Sequence, residues 1–205
     1  MNDNYPVQFS VEYGDGSRNR LTALFRWILV LPVFVVYALL TDPSYSESWV
    51  TGSVSYSSLL LIVLVLMILF RMKYPRWIFD FLLALARFGA RVFAYAALLV
   101  DEYPSIDEEQ NVRLDIAYPD ADTELNRFLP LVKWFLAIPH YIILMPLGLC
   151  VAVVILIAWI AIIVTGRYPE GLFRFVVGVS RWGYRVSAYA FLLTTDRYPP
   201  FRLDP

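Results

Sequence analysis

A near-copy of one segment constrains this chain more than any other feature of its sequence. RFGARVFAYAALLVDEYP at residues 87–104 returns as RWGYRVSAYAFLLTTDRYP at residues 181–199, and nine of the first thirteen positions are identical. Agreement of this extent without gaps indicates an internal duplication. The fold is therefore expected to consist of two similar units.

The same order of features leads up to each copy. An alternating, strand-like segment comes first. A basic residue, Arg26 or Lys133, then precedes a Trp at the start of an apolar run, and a second apolar run ends in Tyr-Pro. Trp134 lies 107 positions after Trp27, whereas Pro169 lies 94 positions after Pro75, so the first copy carries 13 more residues between its apolar runs. We predict a first repeat at residues 1–104 and a second at 105–205.

Composition indicates that these repeats lie in a membrane. The chain is 59% hydrophobic, with a mean hydropathy of +0.58, against about 45–50% apolar residues in soluble domains. Four apolar runs approach the roughly 20 residues that cross a hydrocarbon core as helix, at about residues 21–40, 54–72, 128–147 and 149–166. We expect four transmembrane helices in two hairpins, with a tight turn at residues 145–148; the alternative is one long kinked helix across the last two runs.

Basic residues predict the orientation of these spans. The loop at residues 41–58 and the turn at 145–148 contain no Lys or Arg, while basic residues lie near the opposite ends of the runs. By the positive-inside rule, both termini face the cytoplasm.

Each repeat is expected to close with an amphipathic helix. Pro75 and Pro169 suit a first helical turn, which predicts helices over about residues 75–100 and 169–195. At 100° per residue, all of their charges lie on one stripe, formed by Arg76, Asp80, Arg87 and Arg91 in the first helix and by Glu170, Arg174, Arg181 and Arg185 in the second.

The arginine stripe indicates whether these helices cross the membrane or lie at its surface. A lone lipid-facing crossing would bury Arg87 and Arg91 at about 2.5–3.5 kcal/mol each. We therefore expect both helices to lie at the cytoplasmic interface, with a crossing that faces a polar bundle interior as the alternative. The strand-like segments at residues 6–13 and 112–118 then share one side of the membrane and are expected to pair in a small cytoplasmic sheet, which the tail at 200–205 also suits. The expected fold is therefore an all-α integral membrane protein of two tandem repeats, with a small β element.

The candidate binding residues are arginines of the stripe. Planar guanidinium groups suit lipid phosphate or a partner's carboxylates, so we expect one of these ligands at Arg87, Arg91, Arg181, Arg185 and Arg174. Asp80 and Arg174 occupy equivalent positions with opposite charge, which suggests an ion pair between the repeats.

Catalytic and metal-binding patterns are absent from the sequence. His140 is the only histidine and is expected near a span end with its ring on a backbone carbonyl, a cofactor or proton-relay role being the alternative. Cys150, the only cysteine, is expected to be a small buried apolar residue. The acidic segment at 101–110 lacks the spacing of a calcium loop and is expected to be a solvated linker. A net charge of -1 argues against nucleic acid. We expect no cofactor, no metal and no enzymatic activity.

A family resemblance adds to this interpretation. LVKWFLAIPHYIIL at residues 131–144, together with residues 165–204, resembles the bacterial membrane family catalogued as domain of unknown function 4389. The second repeat carries the resemblance, and the first is similar to a diverged member. The resemblance implies a location in the bacterial inner membrane and brings no assigned reaction.

Two functions follow as expectations. The first is a non-enzymatic structural or accessory membrane protein, whose partners are the bilayer, including anionic lipid, and other membrane subunits or further copies of itself. The alternative is a small pseudo-symmetric transporter or channel, although the apolar runs contain almost no charged or amide side chain to line a path, apart from Lys133 and His140 near their ends.

Overall fold

The computed structural model describes residues 5–14, 18–41, 56–106 and 108–204, without the side chains of residues 56–59 and 122. Most of the predicted external loop at 41–58 therefore lies outside the described residues. The elements are β1 (Val7–Val11), α1 (Arg20–Thr41), α2 (Tyr56–Arg71), α3 (Arg76–Ala96), β2 (Val112–Ile116), α4 (Ala121–Glu124), a 3-10 turn (Leu129–Leu131), α5 (Lys133–Leu136), α6 (Ile138–Thr165) and α7 (Glu170–Ala190).

The two predicted strands pair, as expected. β1 and β2 are antiparallel, and Phe9 lies opposite Leu114 at the centre of the ladder. Alternate residues of each strand are buried, because one face of the sheet packs on helices and the other is exposed. The tail does not extend this sheet within the described residues.

Each strand packs on the amphipathic helix of the other repeat. β1 contacts α7, and β2 contacts α3. Phe9 is 2% exposed and its ring lies 4.8 Å from that of Tyr184 on α7. The repeats therefore exchange strands, and the sheet joins them into one core.

The predicted hairpin at residues 145–148 is wrong. α6 is one continuous helix of 28 residues that passes through Pro146 and ends at the left-handed cap Gly166, whose φ is 75°. Pro146 removes one backbone hydrogen bond and Gly148 is a weak helix former, yet the helix continues through both residues. Consequently the second repeat contains one long apolar helix in place of two spans, and four spans are not shown within the described part of the chain.

α6 and α7 lie side by side and run in opposite directions. Lys133, just before α6, contacts the backbone of Thr195, beyond the end of α7. At the other end, α6 stops at Gly166 and α7 begins at Glu170. The expected arrangement of a crossing helix perpendicular to an interfacial helix is therefore not formed by this pair, because both ends of α6 are close to α7.

The first repeat follows the same plan with an interruption. α1 runs antiparallel to α3, with Arg26 near the end of α3 and Tyr37 over its middle. It also runs antiparallel to α6, since Arg18 N donates to Gly166 O at 2.8 Å and, further along both helices, the Trp159 indole donates to Ala23 O at 3.0 Å. The polypeptide corresponding to α6 is divided into α1 and α2, with the additional residues between them.

The helices form a layer that is apolar on its outer side. α1 and α6 are long and apolar enough to span a membrane. Each buries one narrow face, through Ala23, Val30 and Val33 in α1 and through Ile155, Ala158 and Ile162 in α6. The remaining surface exposes large side chains, among them Leu21 at 70%, Met145 at 78% and Leu149 at 70%. Cys150, expected to be buried, is exposed on α6.

A glycine contact provides a test of how α1 packs on α3. A Cβ added to Gly89 would lie 2.8 Å from the Tyr37 hydroxyl oxygen and 2.9 Å from its ring, whereas a Cβ at Gly183, the equivalent residue of the second repeat, meets nothing within 4 Å. We expect Gly89→Ala to be destabilised by about 1–3 kcal/mol through overpacking. Gly183→Ala should gain up to about 1 kcal/mol from helix propensity.

The two variants are compared by thermal unfolding in the same detergent. Equal shifts in Tm for Gly89→Ala and Gly183→Ala would contradict the close packing of Tyr37 on α3.

Candidate functional site

The first arginine of each pair holds a strand. Arg87 Nε donates to Leu114 O at 2.8 Å, and Arg181 Nε donates to Phe9 O at 2.9 Å. Phe9 and Leu114 are partners in the sheet. Each arginine therefore binds the strand of the other repeat, and the two bonds meet at the centre of the ladder.

The second arginine of each pair holds the segment that follows its helix. Arg91 Nη1 donates to Ser105 O at 2.7 Å, and Arg185 Nη2 donates to Asp204 O at 2.8 Å. Arg185 is only 2% exposed. These bonds fold the chain after α3 and α7 back against the stripe, which is where the tail lies.

Backbone carbonyls are therefore the principal partners of the four paired arginines. The prediction offered lipid phosphate or a protein carboxylate, and Asp115 is the one carboxylate that either pair contacts among the described residues, 2.8 Å from Arg87 Nη2. Each strand of a two-stranded sheet has one open edge, so a carbonyl that points away from the ladder needs another donor. A guanidinium group supplies several donors in a fixed plane. Binding of an external ligand at these residues stays a prediction.

Arg174 and Asp80 do not form the expected pair. Arg174 pairs with Glu170, one turn earlier on α7, and both side chains are largely exposed. Asp80 is exposed and has no ion-pair partner among the described residues. A neighbour at i and i+4 on the same helix is within reach of Arg174 without any contact between repeats.

A buried cation lies inside α1, the apolar helix of the first repeat. Arg26 is fully buried, and its Nη1 donates to Val100 O at 2.9 Å. Its Nη2 pairs with Asp101, and the guanidinium lies 4.1 Å from the centre of the Tyr95 ring. Asp101, expected in a solvated linker, is thus the counter-ion of a buried charge.

The second repeat contains the same arrangement. Lys133 is fully buried, donates to Thr195 O at 2.8 Å and lies 2.7 Å from Asp196 Oδ1. Its ammonium group is 5.3 Å from the centre of the Tyr189 ring. Burial lowers the pKa of Lys133, and the hydrogen bond and charge of Asp196 offset part of that shift.

Sequence reasoning missed these ion pairs, although it found the cations. Lys133 follows Arg26 by 107 positions and Tyr189 follows Tyr95 by 94, so both offsets of the duplication relate the two clusters. An Asp after each amphipathic helix was the remaining signal. It was obscured because the second repeat has one more residue before its Asp.

His140 lies in a buried aromatic cluster. Trp182 Nε1 donates to His140 Nδ1 at 3.1 Å, and the Phe201 ring stacks on the imidazole at 4.0 Å. The expected partner was a backbone carbonyl, so this contact is a correction. The neutral ring accepts through Nδ1 and joins the start of α6 to α7 and the tail.

Within residues 5–14, 18–41, 56–106 and 108–204, no group of three or more His, Cys, Asp or Glu side chains is placed to hold a metal ion. Arg87 and Arg181 couple the two repeats, whereas the Arg26–Asp101 and Lys133–Asp196 pairs each join segments within one repeat.

Comparison with known proteins assigns the second repeat to a family. Residues 130–202 match the family described as Domain of unknown function (DUF4389). This part of the chain is a DUF4389 domain. It contains Lys133, His140, Arg181, Arg185 and Asp196, so the anchors of the second repeat lie inside the DUF4389 domain. No curated protein and no solved structure matches the chain.

The buried pair of the DUF4389 domain gives a stability prediction. Asp196→Asn leaves the Lys133 ammonium buried without a counter-ion, and we expect a loss of about 3–5 kcal/mol in the free energy of unfolding. Glu170→Gln breaks an exposed pair and should change it by less than about 1 kcal/mol. Chemical denaturation in detergent measures both.

A double variant shows whether the charge itself is responsible. Lys133→Met combined with Asp196→Asn removes both members and should recover part of the loss. If Asp196→Asn is as mild as Glu170→Gln, the pair does not anchor α6.

Proposed function

We propose that the chain is a non-enzymatic integral membrane protein with a structural or accessory role. In this proposal α1 and α6 are embedded in the bilayer, and the polar layer, formed by the sheet with α3 and α7, organises lipid headgroups or partner subunits. Its partners would be other membrane proteins or further copies of the chain. The proposed location is the bacterial inner membrane, with both termini in the cytoplasm.

One observation carries this proposal. The outer faces of α1 and α6 expose large apolar side chains along their whole length, while the sheet, the ion pairs and the arginine stripe lie on the opposite side of those helices. Contiguous apolar patches well above a few hundred Å² mark membrane or protein interfaces. Immersion in acyl chains removes this surface from water.

Two of the candidate arginines keep accessible charge for an external ligand. The side chains of Arg87 and Arg174 are 43% and 77% exposed, whereas Arg185 is enclosed by backbone carbonyls. We therefore propose Arg87 and Arg174 as the groups that meet lipid phosphate or a partner's carboxylates.

The transporter alternative has less support from the contacts. The stripe that would line a path is occupied by the strand and tail carbonyls that it binds. α6 buries apolar residues, apart from His140, on its inner face.

Membrane embedding is tested by fractionation. We expect the expressed chain to sediment with the inner membrane and to stay there after extraction at alkaline pH, because burial of apolar surface does not depend on ionic contacts. A peripheral control protein should be released. Release of the chain into the soluble fraction would contradict the proposal.

Binding of lipid headgroups is tested at Arg174 on α7. Arg174→Gln should lower the amount of anionic lipid that co-purifies about fivefold, since each basic residue at an anionic surface contributes about 1 kcal/mol. Glu170→Gln frees Arg174 and should raise it. Native mass spectrometry measures the lipid, and unchanged amounts in both variants would exclude Arg174 as a headgroup ligand.

A further inference from the structure

The ends of α6 are both attached to the polar layer. Lys133 ties the chain just before α6 to Thr195 and Asp196. At the other end, Gly166 O accepts a hydrogen bond of 2.8 Å from Arg18 N, and α7 begins four residues later. α6 therefore has the same inclination to the membrane as α7.

Two arrangements are consistent with this geometry. Either α6 and α7 both cross the bilayer, or both lie close to its plane. The position of the sheet distinguishes them, because Arg87 and Arg181 are each the twelfth of 21 residues in their helices. The strands that they hold are thus halfway along α3 and α7, and crossing helices would place the sheet at the middle of the bilayer.

The exposed face of the sheet does not suit that depth. It carries Ser10, Arg113 and Asp115, and only alternate residues of each strand are covered by helices. Charged groups in the hydrocarbon region are strongly unfavourable unless protein or water surrounds them. The arrangement close to the plane leaves this face in water.

The apolar layer, formed by α1 and α6, is one helix thick, and this thickness fits within a single leaflet. A helix with its side chains is about 10–12 Å across, and half of a hydrocarbon core of about 30 Å is about 15 Å.

α6 satisfies its backbone hydrogen bonds internally at any inclination, apart from the interruption at Pro146. Trp27 and Trp134 are exposed next to the buried cations Arg26 and Lys133, where amphipathic rings suit the headgroup boundary.

We infer that α1 and α6 lie within one leaflet of the bilayer, covered by its acyl chains, and that both ends of α6 are held at the same membrane surface. This inference rests on the membrane location proposed above. It replaces the crossing of the bilayer with attachment to one side, so that the chain presents its sheet and stripe to a single compartment.

Cysteine labelling tests this arrangement in sealed membrane vesicles. Cys150→Ala provides the background, and single cysteines are introduced at two exposed residues that flank α6, Arg127 and Arg167, and at Ser10 on the sheet. We expect a charged, impermeant maleimide to label all three from the same side, with complete loss of labelling when that side is blocked first. Labelling of Arg127→Cys and Arg167→Cys from opposite sides would overturn the inference.

The middle of α6 supplies the second measurement. Native Cys150 and Met145→Cys should react with a membrane-soluble maleimide but not with the charged reagent from either side. Reaction of Met145→Cys with the charged reagent from the side opposite Ser10→Cys would show a crossing and overturn the inference. Both contrary results leave the chain embedded, so they are distinguishable from failure of the proposed function, which would appear as release during alkaline extraction.

Discussion

The coupling between arginine side chains and the backbone of the other repeat holds this molecule together. A two-stranded ribbon is marginal by itself, yet here each strand lies on an amphipathic helix and receives a guanidinium hydrogen bond at its centre. The repeats depend on each other for this reason. Without the exchange, Arg87 and Arg181 would lose their carbonyl partners, and each strand would lose the surface that covers its buried face.

A second pair of contacts holds each apolar helix against the amphipathic helix of its own repeat. Arg26 and Lys133 are buried with a carboxylate, a backbone carbonyl and a tyrosine ring around each. Buried charges are retained only with such partners. Each cluster joins the start of an apolar helix to the end of the amphipathic helix, so the apolar layer and the polar layer keep a defined relation.

The two repeats share one order of elements but differ in the continuity of their apolar helices. In the second, the apolar polypeptide is one helix through Pro146; in the first, it is divided into α1 and α2. The packing in the first repeat also requires Gly89 under Tyr37, whereas Gly183 has open space. The second repeat, which is the part that matches the DUF4389 family, has the more regular apolar surface, and the first carries the additional residues.

The sequence by itself determined the duplication, the two strands, the amphipathic helices and the arginine stripe, because periodicity and repetition are local properties of the chain. It also identified Arg26 and Lys133 as repeated cations. Only the tertiary structure decided that carbonyls of the opposite repeat are the ligands of Arg87 and Arg181, that Asp101 and Asp196 neutralise the buried cations, and that α6 continues through residues 145–148. These outcomes depend on which groups meet after the chain folds, and hydropathy alone does not distinguish a turn between two spans from the interior of one helix.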